Sequence, residues 1–131
     1  MAEQKPRIVV IDDSAASISL YRRSTEALNV HLVVFQSPAE SLDYLKSNAA
    51  DLIFTGIIMR GIDGWSILKR LRTWDHHKNT PTIVVTSKNY AQDRALAEEL
   101  GAREYLVKPL RSQEIREIIC KYTGAEPAEK T

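Results

Sequence analysis

The chain is short of most features that announce a specialised class. Cys120 is its only cysteine, so no internal disulfide can form, and no histidine or second cysteine stands near it at metal-ligand spacing. Its apolar phase with Ile115 and Ile119 places it in the core. The longest apolar runs, such as Arg7-Ile8-Val9-Val10-Ile11, are strand-sized and too short to cross a bilayer. The polar start Met1-Ala2-Glu3-Gln4-Lys5 lacks a secretory apolar region, so a cytoplasmic protein is expected. Lysine plus arginine total 18 against 17 acidic residues, a net charge of +1. No global field therefore recruits nucleic acid or an anionic membrane. The five glycines form no phosphate-cradling fingerprint, and no bound cofactor is expected.

What is present is enough for one compact domain: 131 residues, 44% of them hydrophobic, bury a single core. Five runs rich in β-branched and aliphatic residues read as strands: Arg7 to Ile11, Val30 to Phe35, Asp51 to Phe54, Thr82 to Thr86 and Arg103 to Val107. They are continuous rather than alternating, as in strands covered on both faces. Helical spacing between them implies parallel pairing through right-handed crossovers. The expectation is a doubly wound α/β domain over 1–123, followed by a flexible tail over 124–131.

Helix ends are legible. Ser37-Pro38-Ala39-Glu40 combines an N-cap serine, proline at the first helical position and a glutamate placed to close a capping box, with Leu42 and Leu45 as the buried face. A helix near Gln92 to Leu100 stops at Gly101; Ser112 caps the last helix, which Gly124 ends. Trp74 to Pro81 reads as a polar loop. The basic cluster Lys69, Arg70, Arg72, His76, His77 and Lys78 reads as a solvated face, and His76-His77 lacks the companions a zinc site needs.

Ligands collect at the carboxyl ends of strands in parallel α/β sheets. Asp12 and Asp13 end the first strand, Gly56 the third, Thr86 the fourth, and Lys108, followed by Pro109, the fifth. Each has a bland reading alone, as a loop start, a strand-end hydroxyl or a solvated lysine. Together they resemble the phosphorylation pocket of a bacterial response-regulator receiver domain of the chemotaxis-regulator type, from about Pro6 to Tyr122.

That resemblance implies a flavodoxin-like five-stranded parallel sheet, order 2-1-3-4-5, with five helices. It implies that Asp12, Asp13 and the Ile58 carbonyl hold magnesium, and that Thr86 and Lys108 contact a phosphoryl group. Tyr105 then couples the pocket to a partner surface carrying Lys88, Tyr90, Arg94 and Arg111, and Lys108-Pro109 matches the family's cis-proline turn. Two departures stand out. Gly56 occupies the place of the phosphoaccepting aspartate, and a residue without a side chain accepts no phosphoryl group; Thr55 points to the opposite face. Arg60 replaces the proline of the following turn, where it or Lys108 would partly neutralise the acidic pair. Magnesium is therefore expected to bind weakly at most.

The reading is a pseudo-receiver, not an enzyme, that signals by protein–protein contact as a monomer or weak dimer. The first alternative is a conventional magnesium-dependent phosphoacceptor of a two-component phosphorelay whose aspartate was replaced by Gly56. The second is a flavodoxin-like cofactor-binding enzyme, disfavoured by the acidic, glycine-free turn Asp12-Asp13-Ser14-Ala15.

Overall fold

A computed structural model describes residues 5–128. Five strands alternate with five helices: β1 Arg7–Ile11, α1 Ala15–Thr25, β2 His31–Phe35, α2 Pro38–Ser47, β3 Leu52–Thr55, α3 Gly64–Thr73, β4 Thr82–Thr86, α4 Ala91–Glu99, β5 Glu104–Val107 and α5 Ser112–Thr123. The strands form one parallel sheet in the order β2-β1-β3-β4-β5, the flavodoxin-like order expected.

The side-chain period of two divides the core. Ile8, Val10, Leu52, Phe54, Ile83 and Val85 face one side, under Tyr21 of α1 and Ile115, Ile118 and Ile119 of α5. Val9, Ile11 and Ile53 face the other, under Leu42 and Leu45 of α2 and Ile67 and Leu71 of α3. Every residue of β3 and β4 is buried, which explains their unbroken apolar character. Each fully buried aliphatic or aromatic side chain here contributes roughly 1.5–3 kcal/mol by leaving water.

Side-chain caps set three helix starts. Ser14 Oγ accepts from the Ser17 N–H (3.2 Å), Ser37 Oγ from the Glu40 N–H (3.2 Å) and Asp63 Oδ1 from the Ser66 N–H (2.8 Å). The start of α3 also depends on Gly64: a Cβ there would run into the Gly56 carbonyl and lie 2.8 Å from Ile57 Cα. The α3 N-terminus thus packs on the backbone at the end of β3.

Three expectations are corrected. Cys120 is exposed: at about 100° per residue it lies one step round the helix from buried Ile119 and well away from the Ile115 and Ile119 stripe. The N-cap of α5 is Arg111 rather than Ser112; Glu114 Oε1 accepts from the Arg111 N–H at 3.1 Å. The start of the expected tail is built into the domain. Gly124 ends α5 with φ +67°, then the chain pairs with the turn after α1: Asn29 N–H donates to the Glu126 carbonyl (2.7 Å) and Ala128 N–H to that of Ala27 (2.9 Å). Ala125 packs on the α1–α5 side of the core. The turn's backbone groups needed partners, and the returning segment supplies them. Residues 129–131 of the expected tail lie outside the described residues. No described helix is long and apolar enough to cross a membrane.

Candidate functional site

A small cavity of about 60 Å³ opens at the carboxyl ends of β1, β3, β4 and β5, bordered by Asp12, Asp13, Gly56, Ile58, Thr86 and Lys108. The sheet brings these six together because each follows or ends a strand whose neighbours pair in register: Ile11 lies beside Thr55, Thr55 beside Val84, and Thr86 beside Val107.

Asp12 is 3% exposed. Its Oδ1 accepts from the Ser14 N–H at 2.9 Å, and its Oδ2 lies 3.0 Å from Lys108 Nζ. Oδ2 receives no well-aligned hydrogen bond, so its compensation there is an ion pair. Asp13, by contrast, is exposed to water. Arg60 lies exposed in the β3–α3 loop, off the cavity wall and without an ion pair or side-chain hydrogen bond among the described residues. Of the two cations expected near the acidic pair, Lys108 stands on Asp12; Arg60 keeps its hydration in the loop. The Lys108–Pro109 peptide is cis.

Position 56 borders the same cavity as Asp12, Asp13 and Lys108 and carries no side chain. A Cβ there would meet Met59 Sδ at 3.5 Å, Met59 Cγ at 3.6 Å and the Ile11 carbonyl at 3.8 Å, all ordinary contacts. The neighbouring Thr55 Oγ1 donates to the Gly56 carbonyl at 3.0 Å and is buried, so its hydroxyl is committed. Ile58 borders the cavity while 68% of its surface is exposed.

Magnesium takes hard oxygen ligands in near-octahedral geometry and keeps several waters. The donor set here does not fit a tight site. Asp12 is divided between Ser14 and Lys108, Asp13 is one exposed carboxylate, and Gly56 offers none. No group of three His, Cys, Asp or Glu side chains that could hold a metal occurs among the described residues.

Beyond Thr86, a hydrogen-bonded chain leads to the surface. Lys88 N–H donates to Thr86 Oγ1 (3.2 Å), and the Tyr105 hydroxyl donates to the Lys88 carbonyl (2.7 Å). The Arg94 guanidinium lies 4.7 Å from the Tyr105 ring centroid and donates through Nε to Asn89 Oδ1 (2.8 Å). Burial, and then Asp93, raise the Tyr105 phenol above its ordinary value, so the hydroxyl stays a donor. Lys88, Tyr90, Arg94 and Arg111 are all exposed.

Sequence reasoning missed three neighbours. Met59 covers the empty position 56. Ser87 borders the cavity. Tyr21, 2% exposed, has its phenol pushed well up, by burial first and then by the Asp12 carboxylate. Tyr21 also lines an apolar concavity of about 380 Å³ on the outer side of Lys108, with Leu20, Pro109 and Leu110. Its place in an aliphatic-looking helix stripe gave no signal of this.

The response regulator receiver domain model matches residues 8–120. Among curated relatives, the sensor protein GacS of Pseudomonas syringae pv. syringae is 23% identical over 127 residues, covering 95% of this chain and 14% of that protein. The cyclic di-GMP phosphodiesterase response regulator RpfG of Xanthomonas campestris pv. campestris is 32% identical over 111 residues, covering 83% of this chain and 29% of that protein. The chain thus spans well under half of either. Among solved structures, chemotaxis response regulator CheY4 of Vibrio cholerae superposes with a TM-score of 0.84 at 18% identity, covering 91% of this chain and 99% of that one. The phosphorylated cyanobacterial phytochrome response regulator RcpA gives 0.83 at 17%, covering 95% and 99%.

Proposed function

The chain belongs to the response regulator receiver domain family of two-component signalling, and from that premise we propose that it is a pseudo-receiver: it signals through protein contact without taking a phosphoryl group on aspartate. The observation that carries this is the empty position 56. Phosphoryl transfer in such a pocket consists of positioning and charge neutralisation around an attacking oxygen. Gly56 offers none, Thr55 Oγ1 is spent on the Gly56 carbonyl, and Asp12 is buried against Lys108.

With metal and phosphoryl group removed from the scheme, Lys108 balances Asp12 directly. The Thr86–Lys88–Tyr105 chain then holds the surface around α4, β5 and the start of α5 in one arrangement. That surface presents Lys88, Tyr90, Arg94 and Arg111, a cationic and aromatic set suited to an acidic, partly apolar protein partner. A partner shifts a two-state element only through different affinities for its states, so the signal enters by binding rather than by covalent modification.

The test is intact-mass measurement after incubation with acetyl phosphate and magnesium, alongside a phosphorylatable receiver as positive control. The expected result is an unchanged mass. A stable adduct of one phosphoryl group would defeat the proposal.

A further inference from the structure

The basic stretch that looks like a solvated helix face is anchored at Arg72, in the last turn of α3. Its Nη1 donates to the carbonyls of His77 (2.9 Å) and Thr80 (3.2 Å), and its Nη2 to Thr82 Oγ1 (3.2 Å) and the Gly101 carbonyl (3.1 Å). Gly101 makes room for this group, since a Cβ there would lie 2.8 Å from Arg72 Nε. All four acceptors are neutral. No carboxylate lies within ion-pair distance of Arg72 among the described residues.

Beside it opens a concavity of about 510 Å³, at the amino ends of β4 and β5 and therefore at the opposite end of the sheet from Asp12 and Lys108. Lys69, Lys78 and Arg103 share its wall with Arg72, and Glu99 is the one carboxylate there. Four positive charges against one negative leave a local excess of three, in a chain whose net charge is +1. Lys69, Lys78 and Arg103 form no ion pair among the described residues; Arg103 makes one long contact, Nη2 to the Asn79 carbonyl at 3.5 Å. Burial first, and then the nearby Arg103 charge, lower the Arg72 pKa. Two guanidinium groups thus repel across one space, and a bound anion would relieve that repulsion.

We propose that this concavity binds a small molecule carrying two adjacent phosphate groups, of the nucleoside diphosphate class. Arg72, held by its four acceptors, supplies a fixed positive field at the base. Lys69, Lys78 and Arg103 supply the mobile donors that phosphate oxygens take up, the arginine in a fork suited to them. Leu100 and the carbon stems of the lysines form an apolar wall for a ring, and Glu99 accepts from a sugar hydroxyl or an exocyclic amine. The volume lies within the roughly 300–1,000 Å³ common to small-ligand sites.

The test is calorimetric titration of the whole chain with ADP, pyrophosphate and adenosine in magnesium-free buffer at low ionic strength. It compares the wild type with Lys78→Glu/Arg103→Glu and with Arg22→Glu/Arg23→Glu, an exposed pair on α1 that does not line the concavity and gives the same change in net charge. Arg72 is kept in every variant because it anchors the fold, and circular dichroism checks each one. Expected are saturable ADP binding, none for adenosine, and an affinity about tenfold or more weaker in the pocket variant but nearly unchanged in the α1 variant. Pyrophosphate binding close to that of ADP would support the site and assign its affinity to the phosphates. Failure of both ADP and pyrophosphate to saturate at millimolar concentration, or equal weakening in both variants, would overturn it. The outcome is independent of Gly56, so it neither rescues nor sinks the pseudo-receiver reading.

Discussion

Replacing Lys108 by methionine isolates the charge balance on which the pseudo-receiver reading depends. Methionine keeps an unbranched stem of similar length and removes only the charge facing Asp12. At 3.0 Å, Coulomb's law with an effective dielectric of about 20 gives roughly 5 kcal/mol as a ceiling for the pair. The Asp12 side chain is 4% exposed, but that of Lys108 is 28% exposed, so water screens part of this attraction. Breaking a fully buried pair costs about 3–5 kcal/mol, and an exposed one about 0.2–1 kcal/mol. The intermediate position points to about 2 kcal/mol, lost because Asp12 keeps only the Ser14 N–H as a partner. For a domain of this size that corresponds to a fall in Tm of roughly 6–10 °C.

The assay is urea unfolding at neutral pH in a double-mutant cycle with Asp12→Asn, which preserves the Oδ1 acceptor for Ser14 and removes the charge. Lys108→Met/Asp12→Asn should recover most of the stability, with a coupling energy of about 1.5–2 kcal/mol. A coupling below about 0.5 kcal/mol would refute the reasoning, because it would make Lys108 a solvated lysine that happens to lie near Asp12.

Two further outcomes follow from named contacts. Gly56→Asp should fold, because its Cβ meets only ordinary contacts, while a third carboxylate beside Asp12 and Asp13 lowers stability by about 1–2 kcal/mol at neutral pH. Thermal unfolding with and without magnesium should show larger stabilisation of the variant than of the wild type, and robust phosphorylation of the variant by acetyl phosphate would favour the rival of a conventional receiver with its acceptor replaced. His77 is fully buried, and burial pushes its imidazole below the ordinary 6.5. The unfolded chain therefore takes up the proton first, so the stability His77 confers is complete above that value and declines as pH falls below it. Urea midpoints measured down to about pH 5 should fall less steeply in His77→Gln, and an unchanged slope would refute the assignment.

The fold and the cavity were legible because both depend on patterns that side chains carry openly. Unbroken apolar runs such as Leu52-Ile53-Phe54 mark strands covered on both faces, and the topology then delivers Asp12, Gly56, Thr86 and Lys108 to one edge. What escaped was set by backbone demand. His77 sits in a stretch that reads as a polar loop, yet its Nε2 lies 2.8 Å from both the Leu45 and Asn48 carbonyls and its Nδ1 3.1 Å from Thr80 Oγ1. Carbonyls at the end of α2 lack helical partners, and the imidazole supplies the donor. Arg72 does the same for His77, Thr80 and Gly101. A polarity pattern reports affinity for water; it carries no record of which distant carbonyl needs a donor. The segment at 125–128 escaped for the same reason, since its partners are the backbone groups of Ala27 and Asn29.

The hydrogen-bonded chain from Thr86 through Lys88 to Tyr105 bypasses position 56 altogether. On the proposed reading, the glycine at position 56 removes one input without cutting the connection between cavity and surface. On the proposed reading, a phosphoryl group entering from outside would also have to draw Lys108 away from Asp12, at the cost of a largely desolvated ion pair. A partner at Tyr105 and Arg94 meets no such barrier: the Tyr105 hydroxyl and the overlying guanidinium lie on the face it would cover, one carbonyl away from the Thr86 end of the chain. If the pocket's charges hold one another in place as that reading has it, the surface is where a change of state costs least and where the signal should be sought.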